Sequence, residues 1–432
     1  MNARDAALSA LVDCRVKDAW SDAVLKKHQA SLEPRDAALC SALCYGVLQN
    51  RALLDYYIDL FLTGKKKLPP MLRDILRLAV YQLVFLDRVP DSAAVNEAVN
   101  QARKRFGERE AGVCNGVLRN LLRQKNSMVP PADYHIRYSH PEALVELMKD
   151  SVGKRLGRML EADNSIPELC AVWNPLQCEE SALLDRWTEE AVAFRPHPWL
   201  AHGYLLQQTG APTRLGSFQE GMFQIQDAAA ALSVAVLGLA PGMRVLDLCA
   251  APGGKSLAAA RAMGNQGEVL SCDIHAGKLP QIDMAAKRMG ASMIRTLEHD
   301  ACVPVDAWRG KFDAVIADVP CSGLGVIRKK PDIRYRDLSA IEELPALQGR
   351  ILDQASACVA PGGQLLYSTC TVLFREIEAV VQSFLENHPA FECEKLELPE
   401  PLAEQASGMV SLYQGWDDCD GFFICRMRRR EA

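Results

Sequence analysis

Several common features are missing from this 432-residue sequence, and each absence narrows its class. None of its 15 cysteines are spaced as CxxC, so neither a cysteine-ligated zinc site nor a dithiol redox motif is expected, and scattered thiols suit a reducing compartment. The longest uncharged apolar run, residues 228–240, is shorter than the roughly 20 residues of a membrane-spanning helix. The N-terminus has early acidic residues and no long apolar stretch, which argues against a secretory signal. The sequence therefore predicts a cytoplasmic protein that binds neither a membrane nor a metal.

The net charge of -5 is unevenly distributed along the chain. Residues 1–125 contain 20 Lys and Arg against 14 Asp and Glu, whereas the remainder contains 29 against 40. Two local basic clusters, at 326–336 and 426–430, lie in the acidic part. A basic front part suits contact with a polyanion, although solvated helix faces give the same pattern. Charge alone leaves both interpretations open.

The chain divides by pattern into three folded parts and a connecting segment. Residues 1–125 carry apolar residues at helical spacing throughout and predict an all-α bundle. Prolines and polar residues interrupt this pattern over 126–162, which predicts a linker. Residues 163–235 have short apolar runs with weak periodicity and predict a small α/β subdomain. Residues 236–432 predict a larger α/β domain.

In this last part, short apolar runs alternate with helical stretches. The runs that predict strands are MRVLDLCA, GEVLSCDI, SMIRTLEHD, FDAVIADVP, GGQLLYSTC and GFFICRM. Strands that alternate with helices indicate a mostly parallel sheet of Rossmann-like type, covered by helices on both faces. Ligands of such sheets bind beyond the carboxyl ends of the strands.

The stretch VLDLCAAPGGKSLAAA follows the first of these strands and resembles a phosphate-binding loop at its GGKS end. A Walker A loop needs a glycine five residues before the glycine of GKS, and that position is Cys249. The pattern instead favours a nucleoside-like ligand at a glycine turn. Asp273 lies 20 residues beyond Gly253, the offset at which an acidic side chain binds ribose hydroxyls. Asp300 and Asp318 end the next two strands, where each could contact another part of the ligand.

Two cysteines follow neighbouring strands of the predicted sheet. Cys321 lies in ADVPCSG and Cys370 lies in LLYSTCT. Either cysteine alone would be interpreted as a core residue. Two thiols at the ends of strands beside a ligand site instead favour nucleophilic chemistry.

The motifs DLCAAPGGKS, DVPCSGLGVIRKKPDIRY, STCTVLFREIE and DGFF resemble those of the RNA cytosine-5 methyltransferases that use S-adenosylmethionine, over about residues 165–432. The front part, with ILRLAVYQLVFLDRVPDSAAVNEAVNQARK and NGVLRNLLR, resembles the helical RNA-binding domain of the NusB antitermination factor. The combination is similar to bacterial methyltransferases of small-subunit ribosomal RNA. It implies a class I methyltransferase domain with a seven-stranded sheet, a monomer, and a cytosine of 16S ribosomal RNA as the substrate.

The resemblance implies a role for each motif residue. The cofactor-binding set is Cys249, Ala250, Ala251, Pro252, Gly253, Gly254, Lys255, Asp273, Asp300 and Asp318. Cys370 would be the nucleophile, Cys321 would act in product release, and Asp318 would contact either the base or the cofactor. The residues that would hold RNA phosphates are Arg328, Lys329, Lys330 and Arg334. One position departs from the family, because Val172 stands where an arginine usually precedes the asparagine of AVWNPLQ.

The chemistry explains why such residues are needed. C5 of cytosine is a poor nucleophile, so a thiolate must first add at C6 before C5 can accept a methyl group. Free cysteine, with a pKa of roughly 8.5, is only slightly ionised at neutral pH, and the site must favour the anion.

Two other functions stay open. An amino-group methyltransferase would carry a [DN]PP[YF]-like loop where this chain has DVPC, and nitrogen methylation would leave Cys370 without a role. A non-catalytic RNA-binding assembly factor would have no use for Asp318, Cys321 and Cys370.

Overall fold

The computed structural model describes residues 2–17, 19–62, 67–207, 210–405 and 407–431. The chain forms two compact units. Unit 1 comprises Met1–Lys149, Lys154–Ser165 and Ile327–Arg336, and unit 2 comprises Asp150–Gly153, Ile166–Val326 and Asp337–Ala432. No helix among the described residues is long and apolar enough to cross a bilayer.

Unit 1 is all-α, which confirms the prediction for the front of the chain. Its helices turn their apolar faces to one core that includes Leu43, Leu54, Ile75 and Leu118, all fully buried. Its helices in the described residues are α1 (Ala3–Lys17), α2 (Ser21–Gln29), α3 (Pro34–Gln49), α4 (Arg51–Phe61), α5 (Pro70–Phe85), α6 (Asp91–Phe106), α7 (Glu108–Gln124), α8 (Tyr134–Arg137), α9 (Glu142–Val152) and α10 (Leu156–Ala162). The last residues of α9 are assigned to unit 2.

The structure differs from the linker predicted for residues 126–162. This segment is largely helical and buries Leu144, Met148 and Leu160. Its prolines precede α8 and α9 rather than interrupting them, and proline is tolerated at the start of a helix. The prolines in this segment therefore indicate where helices begin, and they do not indicate an extended linker.

The segment Ile327–Arg336 belongs to unit 1, although the sequence pattern assigned it to the α/β domain. Asp332 accepts hydrogen bonds from the N–H and the hydroxyl of Ser21, at 3.2 and 2.5 Å. The hydroxyl of Tyr335 donates to the carbonyl of Leu48 at 2.6 Å. This basic stretch therefore inserts several of its side chains among the helices of unit 1.

Unit 2 begins with a small antiparallel sheet in the order β2-β3-β1-β4. Trp187 is fully buried beneath it and packs edge-on against Tyr204 and Phe223. The elements of this part are β1 (Leu169–Trp173), α11 (Glu180–Glu189), β2 (Ala193–Pro196), β3 (Gly203–Gln207), α12 (Gly216–Gln219) and β4 (Phe223–Ile225).

The larger sheet of unit 2 has eight strands in the described residues, in the order β10-β12-β9-β8-β5-β6-β7, with β11 paired to β12. Strands β5 to β9 pair in parallel, and β12 is antiparallel to β9. Its strands are β5 (Arg244–Asp247), β6 (Glu268–Asp273), β7 (Ile294–Glu298), β8 (Phe312–Asp318), β9 (Val359–Thr369), β10 (Phe391–Cys393), β11 (Met409–Leu412) and β12 (Phe422–Arg429).

The predicted mostly parallel α/β sheet is confirmed, and all six predicted strands are present. Within the described part of the chain, the sheet has one strand more than the seven expected. The helices associated with this sheet are α13 (Ala228–Ala235), α14 (Gly254–Ala262), α15 (Leu279–Met289), α16 (Leu344–Cys358) and α17 (Glu378–Asn387). From β5 the sheet is extended on one side by β6 and β7 and on the other side by β8 and β9. A doubly wound sheet binds its ligand at the switch point between these two directions, which here lies between β5 and β8.

Candidate active site

The loop after β5 turns the chain from the sheet into α14. Gly253 has a φ of +102°, a conformation that favours glycine, and its N–H donates to the carbonyl of Ala250 at 2.6 Å. The carbonyl of Gly254 accepts from the side-chain amides of Gln224 and Gln226, at 3.2 and 3.1 Å. These bonds fix the turn at the carboxyl edge of the sheet, where a ligand can approach the backbone closely.

Two of the predicted acidic residues lie at the carboxyl ends of β6 and β7. Asp273, the last residue of β6, is 8% exposed and accepts from the N–H groups of Ala251 and His275, at 3.2 and 2.9 Å. Asp300 is exposed and accepts from the N–H of Cys302 at 2.9 Å. The structure therefore brings Asp273 against the glycine turn and leaves Asp300 at the exposed edge.

Asp247 ends β5, and the sequence interpretation did not include it. One of its carboxylate oxygens accepts from the hydroxyl of Ser256 at 2.7 Å, and the hydroxyl of Ser271 donates to Ser256 at 2.7 Å. The other oxygen, Oδ1, is buried and has no hydrogen-bond partner among the described residues. A buried oxygen of this kind is a position that a donor group of a ligand would satisfy. The available signal was an acidic residue inside the apolar run VLDL.

Burial is the main reason why the pKa of Asp247 is raised to about 7. The negative charge of Asp318 raises it further, while the bond from Ser256 and the charge of Lys255 lower it. The carboxylate at the end of the first parallel strand therefore changes charge near neutral pH.

Lys255 and Asp318 form an ion pair with a distance of 2.7 Å between Nζ and Oδ2. Lys255 comes from the first turn of α14, and Asp318 is the last residue of β8. The hydroxyl of Ser368 donates to the other oxygen of Asp318 at 2.8 Å, and the ammonium of Lys255 lies 4.9 Å from the ring centroid of Phe422. The glycine turn is thereby linked to β8, β9 and β12.

Cys321 and Cys370 lie in contact, with 3.4 Å between their sulfur atoms. Cys321 follows β8 and Cys370 follows β9, and these strands are parallel neighbours. The hydrogen bond to Cys370, together with burial, raises the pKa of the Cys321 thiol well above its usual value. The raised pKa favours a neutral Cys321 thiol, and in the contact itself either sulfur can be the donor.

Two glycines hold the loop that carries Cys321. The N–H of Gly325 donates to the carbonyl of Cys370 at 2.9 Å, and the N–H of Gly421 donates to the carbonyl of Gly325 at 2.8 Å. A Cβ atom at either glycine would overlap the backbone of the other. The DGFF motif therefore contributes a close backbone approach to the loop between the two cysteines.

The four basic residues of the predicted phosphate-binding set all lie in the segment that belongs to unit 1. Lys330 is exposed, whereas Arg328 and Lys329 are partly buried. Arg334 contradicts the prediction, because its side chain is 1% exposed and donates to the carbonyls of Gln49 and Asp163, at 2.9 and 3.3 Å. Its charge is committed to oxygens inside unit 1, so it is not available to a phosphate.

Comparison with known proteins gives matches over nearly the whole chain. Residues 234–428 match the family model described as 16S rRNA methyltransferase RsmB/F, and residues 1–123 match the NusB family model. The chain is 35% identical to "Probable ribosomal RNA small subunit methyltransferase B" of Bacillus subtilis (strain 168), over 99% of this chain and 98% of the relative.

Solved structures share the fold. The crystal structure of PH0851 superposes with a TM-score of 0.79 at 24% identity, over 99% of this chain and 98% of that chain. A methyltransferase homolog protein from Pyrococcus horikoshii superposes with a TM-score of 0.58 at 26% identity, over 69% of this chain and 98% of that chain.

The parallel sheet, its glycine turn and its acidic strand ends define a Rossmann-like methyltransferase that uses S-adenosylmethionine. With a NusB-type unit on the same chain and relatives that align almost end to end, the protein belongs to the RsmB/F family of 16S rRNA methyltransferases. The family, the fold class and the cofactor predicted from the sequence are confirmed.

The residues at the sheet edge fit this cofactor. S-adenosylmethionine carries an ammonium group, a sulfonium group and ribose hydroxyls, all of which suit acidic partners. The partnerless Oδ1 of Asp247 is a buried acceptor for a cationic or hydroxyl donor. The positive φ of Gly253 bends the backbone into the turn at this edge, and a Cβ there would meet the side chain of Ile282.

The raised pKa of Asp247 predicts a pH-dependent effect of Asp247→Asn. Because the folded state holds a proton that the unfolded state has lost between about pH 4 and pH 7, this group's contribution to stability falls as the pH rises through that range. Asparagine has no charge to bury, so the stability of the cofactor-free variant relative to wild type should rise by about 2–3 kcal/mol between pH 5 and pH 8. Urea unfolding at both pH values measures this, and exposed Asp300→Asn supplies the baseline. An equal difference at both pH values would contradict the argument.

Proposed function

We propose that this protein transfers a methyl group to C5 of a cytosine in small-subunit ribosomal RNA, through a covalent bond between Cys370 and C6 of the base. The observation that carries the proposal is the 3.4 Å contact between the sulfurs of Cys321 and Cys370 at the ends of adjacent strands. Methylation of an amino nitrogen needs no such nucleophile, and a non-catalytic factor needs neither thiol. The relatives named as small-subunit rRNA methyltransferases support the substrate class.

Cys370 is the proposed nucleophile. In this proposal the S–H of Cys321, 3.4 Å away, donates toward the sulfur of Cys370 and stabilises negative charge there, which favours attack on C6. The new sulfur–C6 bond leaves C5 electron-rich, so C5 can accept a methyl group. When bound, S-adenosylmethionine supplies that methyl group as an electrophile.

Cys321 is the proposed residue for product release. Once the sulfur of Cys370 is bonded to C6 it is a neutral thioether, so the largest cause of the raised pKa of Cys321 is removed. Cys321 then passes its own proton to a water molecule, and the resulting thiolate, or a water molecule bound to it, takes the proton from C5. The electrons of that C–H bond restore the C5–C6 double bond, and Cys370 leaves as a thiolate.

Unit 1 is the proposed RNA-binding part. Residues 1–125 carry 20 basic against 14 acidic side chains, and residues 1–123 match the NusB family. We assign phosphate contacts to Arg328, Lys329 and Lys330. The target cytosine has to be unpaired or turned out of its stack, because a base within a helix does not expose C6 to a thiol.

Nucleoside mass spectrometry tests the proposal. The full-length protein is incubated with deuterium-labelled S-adenosylmethionine and small-subunit rRNA from cells that lack the gene, and the RNA is digested to nucleosides. We expect deuterated 5-methylcytidine with the wild-type protein and none with the matched Cys370→Ala variant. Circular dichroism confirms that both proteins are folded.

Other outcomes of this experiment would assign a different function to the protein. Deuterated N4-methylcytidine or N6-methyladenosine would assign the protein to the amino-group methyltransferases. A folded protein that binds the cofactor and the RNA but transfers no methyl group would be a non-catalytic binding factor.

A further inference from the structure

A buried carboxylate joins the two cysteine loops. The side chain of Glu376 is fully buried, and its Oε2 accepts from the backbone N–H of Ser322 at 2.9 Å and from the amide of Gln348 at 3.0 Å. Its Oε1 accepts from the hydroxyl of Thr371 at 3.3 Å. Ser322 is the residue after Cys321, and Thr371 is the residue after Cys370. One carboxylate therefore holds the immediate neighbours of both thiols.

The surrounding bonds make this arrangement rigid. The hydroxyls of Ser322 and Thr371 lie 2.7 Å apart, and since Thr371 donates to Glu376, Ser322 donates to Thr371. The amide of Gln348 also donates to the carbonyl of Pro320 at 3.0 Å. The hydroxyl of Tyr367 donates to the backbone carbonyl of Glu376 at 2.6 Å. All the groups around the carboxylate oxygens are donors, which is the pattern that a negatively charged acceptor requires.

We propose that Glu376 is a positioning residue of the cysteine pair, which fixes the Cys321 loop against the Cys370 loop and keeps the shared proton on Cys321. The inference rests on the proposed function, because that function is what makes the cysteine pair catalytic. The hydrogen bonds of Glu376 reach Ser322 and Thr371, the residues next to the two cysteines, so it acts through them. Glu376 lies within the motif STCTVLFREIE, but the motif assigned it no role, because its partners come from three separate segments of the chain.

The charge of Glu376 acts on the proton as well as on the geometry. Two sulfurs in contact share one proton when one of them is ionised, and a negative charge next to Cys321 opposes ionisation there. The negative charge is thereby left to Cys370. Without the charge of Glu376, Cys321 should ionise more readily. A smaller fraction of molecules would then have the thiolate on Cys370.

Two substitutions separate charge from geometry. In Glu376→Gln the amide oxygen can still accept from Ser322 and Gln348, while its NH2 donates to Thr371 and reverses the hydroxyl pair. Glu376→Ala removes every side-chain bond. Glu386→Gln, an exposed glutamate on α17, is the matched control. Each full-length variant is alkylated with iodoacetamide at pH 7.5, and peptide mapping gives the ratio of labelling at Cys321 to labelling at Cys370.

We expect Glu376→Gln to raise the Cys321 share of labelling by about three- to tenfold, because the nearby charge no longer opposes ionisation. The kcat for RNA methylation should fall by about 10- to 100-fold, with the KM for S-adenosylmethionine within about twofold of wild type, because the cofactor site is left intact. The kcat of Glu376→Ala should fall further, and Glu386→Gln should have the kcat and the labelling ratio of wild type.

A Glu376→Gln protein with the wild-type labelling ratio and kcat would overturn the inference, even if it melted at a lower temperature. A shifted labelling ratio in a protein whose wild type makes no 5-methylcytidine would support the positioning role and reject the proposed reaction. The two proposals can therefore fail separately.

Discussion

Replacing Cys321 with alanine is expected to leave the protein covalently bound to methylated RNA. Cys370 remains available to attack C6, and the methyl group can still be transferred, but no thiol remains beside it to help remove the C5 proton. The adduct should therefore accumulate at the step before release. Incubation with rRNA and radiolabelled S-adenosylmethionine, followed by a denaturing gel, should show a shifted labelled band that disappears on nuclease treatment.

The Cys370→Ala variant should behave in the opposite way. Without the attacking sulfur it forms no adduct, and methylation should fall by at least about 1,000-fold, as for the loss of a covalent nucleophile elsewhere. Cys302→Ala, at a partly buried cysteine after β7, controls for the loss of a thiol. A shifted band with Cys370→Ala and none with Cys321→Ala would mean that the two roles are reversed.

The sequence could predict those parts of the site that follow from strand ends. In a parallel sheet the carboxyl ends of neighbouring strands meet at one edge, so Asp318, Cys321 and Cys370 could be expected near the glycine turn. The structure places the Lys255–Asp318 pair and the contact between the sulfurs at this edge.

The sequence could not predict the contacts that depend on tertiary packing. Glu376 contacts Ser322 and Gln348, which lie 54 and 28 residues away along the chain, and no periodicity connects these positions. The buried role of Arg334 was hidden for a related reason. Its neighbours are basic, and a cluster of basic residues is typical of a phosphate-binding surface. Its acceptors instead come from the end of α3 and from a turn after α10 in unit 1.

Replacing Arg334 with alanine is expected to destabilise unit 1 strongly. The Nη1 atom of Arg334 lies within 3.4 Å of the carbonyl oxygens of Gln49, Tyr138 and Ser139 and of the side-chain oxygen of Asn164. Alanine would leave the Gln49 carbonyl and the Asn164 side-chain oxygen without this donor, at a cost of about 3 kcal/mol in the free energy of unfolding. For a unit of this size the melting temperature should fall by about 6–12 °C. Scanning calorimetry of the full-length protein measures this change.

Lys330→Ala is the matched substitution in the same segment, because Lys330 is exposed. We expect it to change the melting temperature by less than about 2 °C and to weaken RNA binding, with a shallower dependence of affinity on salt, because a phosphate contact releases counterions. Hydrogen–deuterium exchange should rise in peptides around Gln49 and Tyr138 for Arg334→Ala only. If Arg334→Ala instead melted like wild type and lost RNA affinity with the same salt signature, Arg334 would be a phosphate contact and its buried bonds would not be maintained in solution.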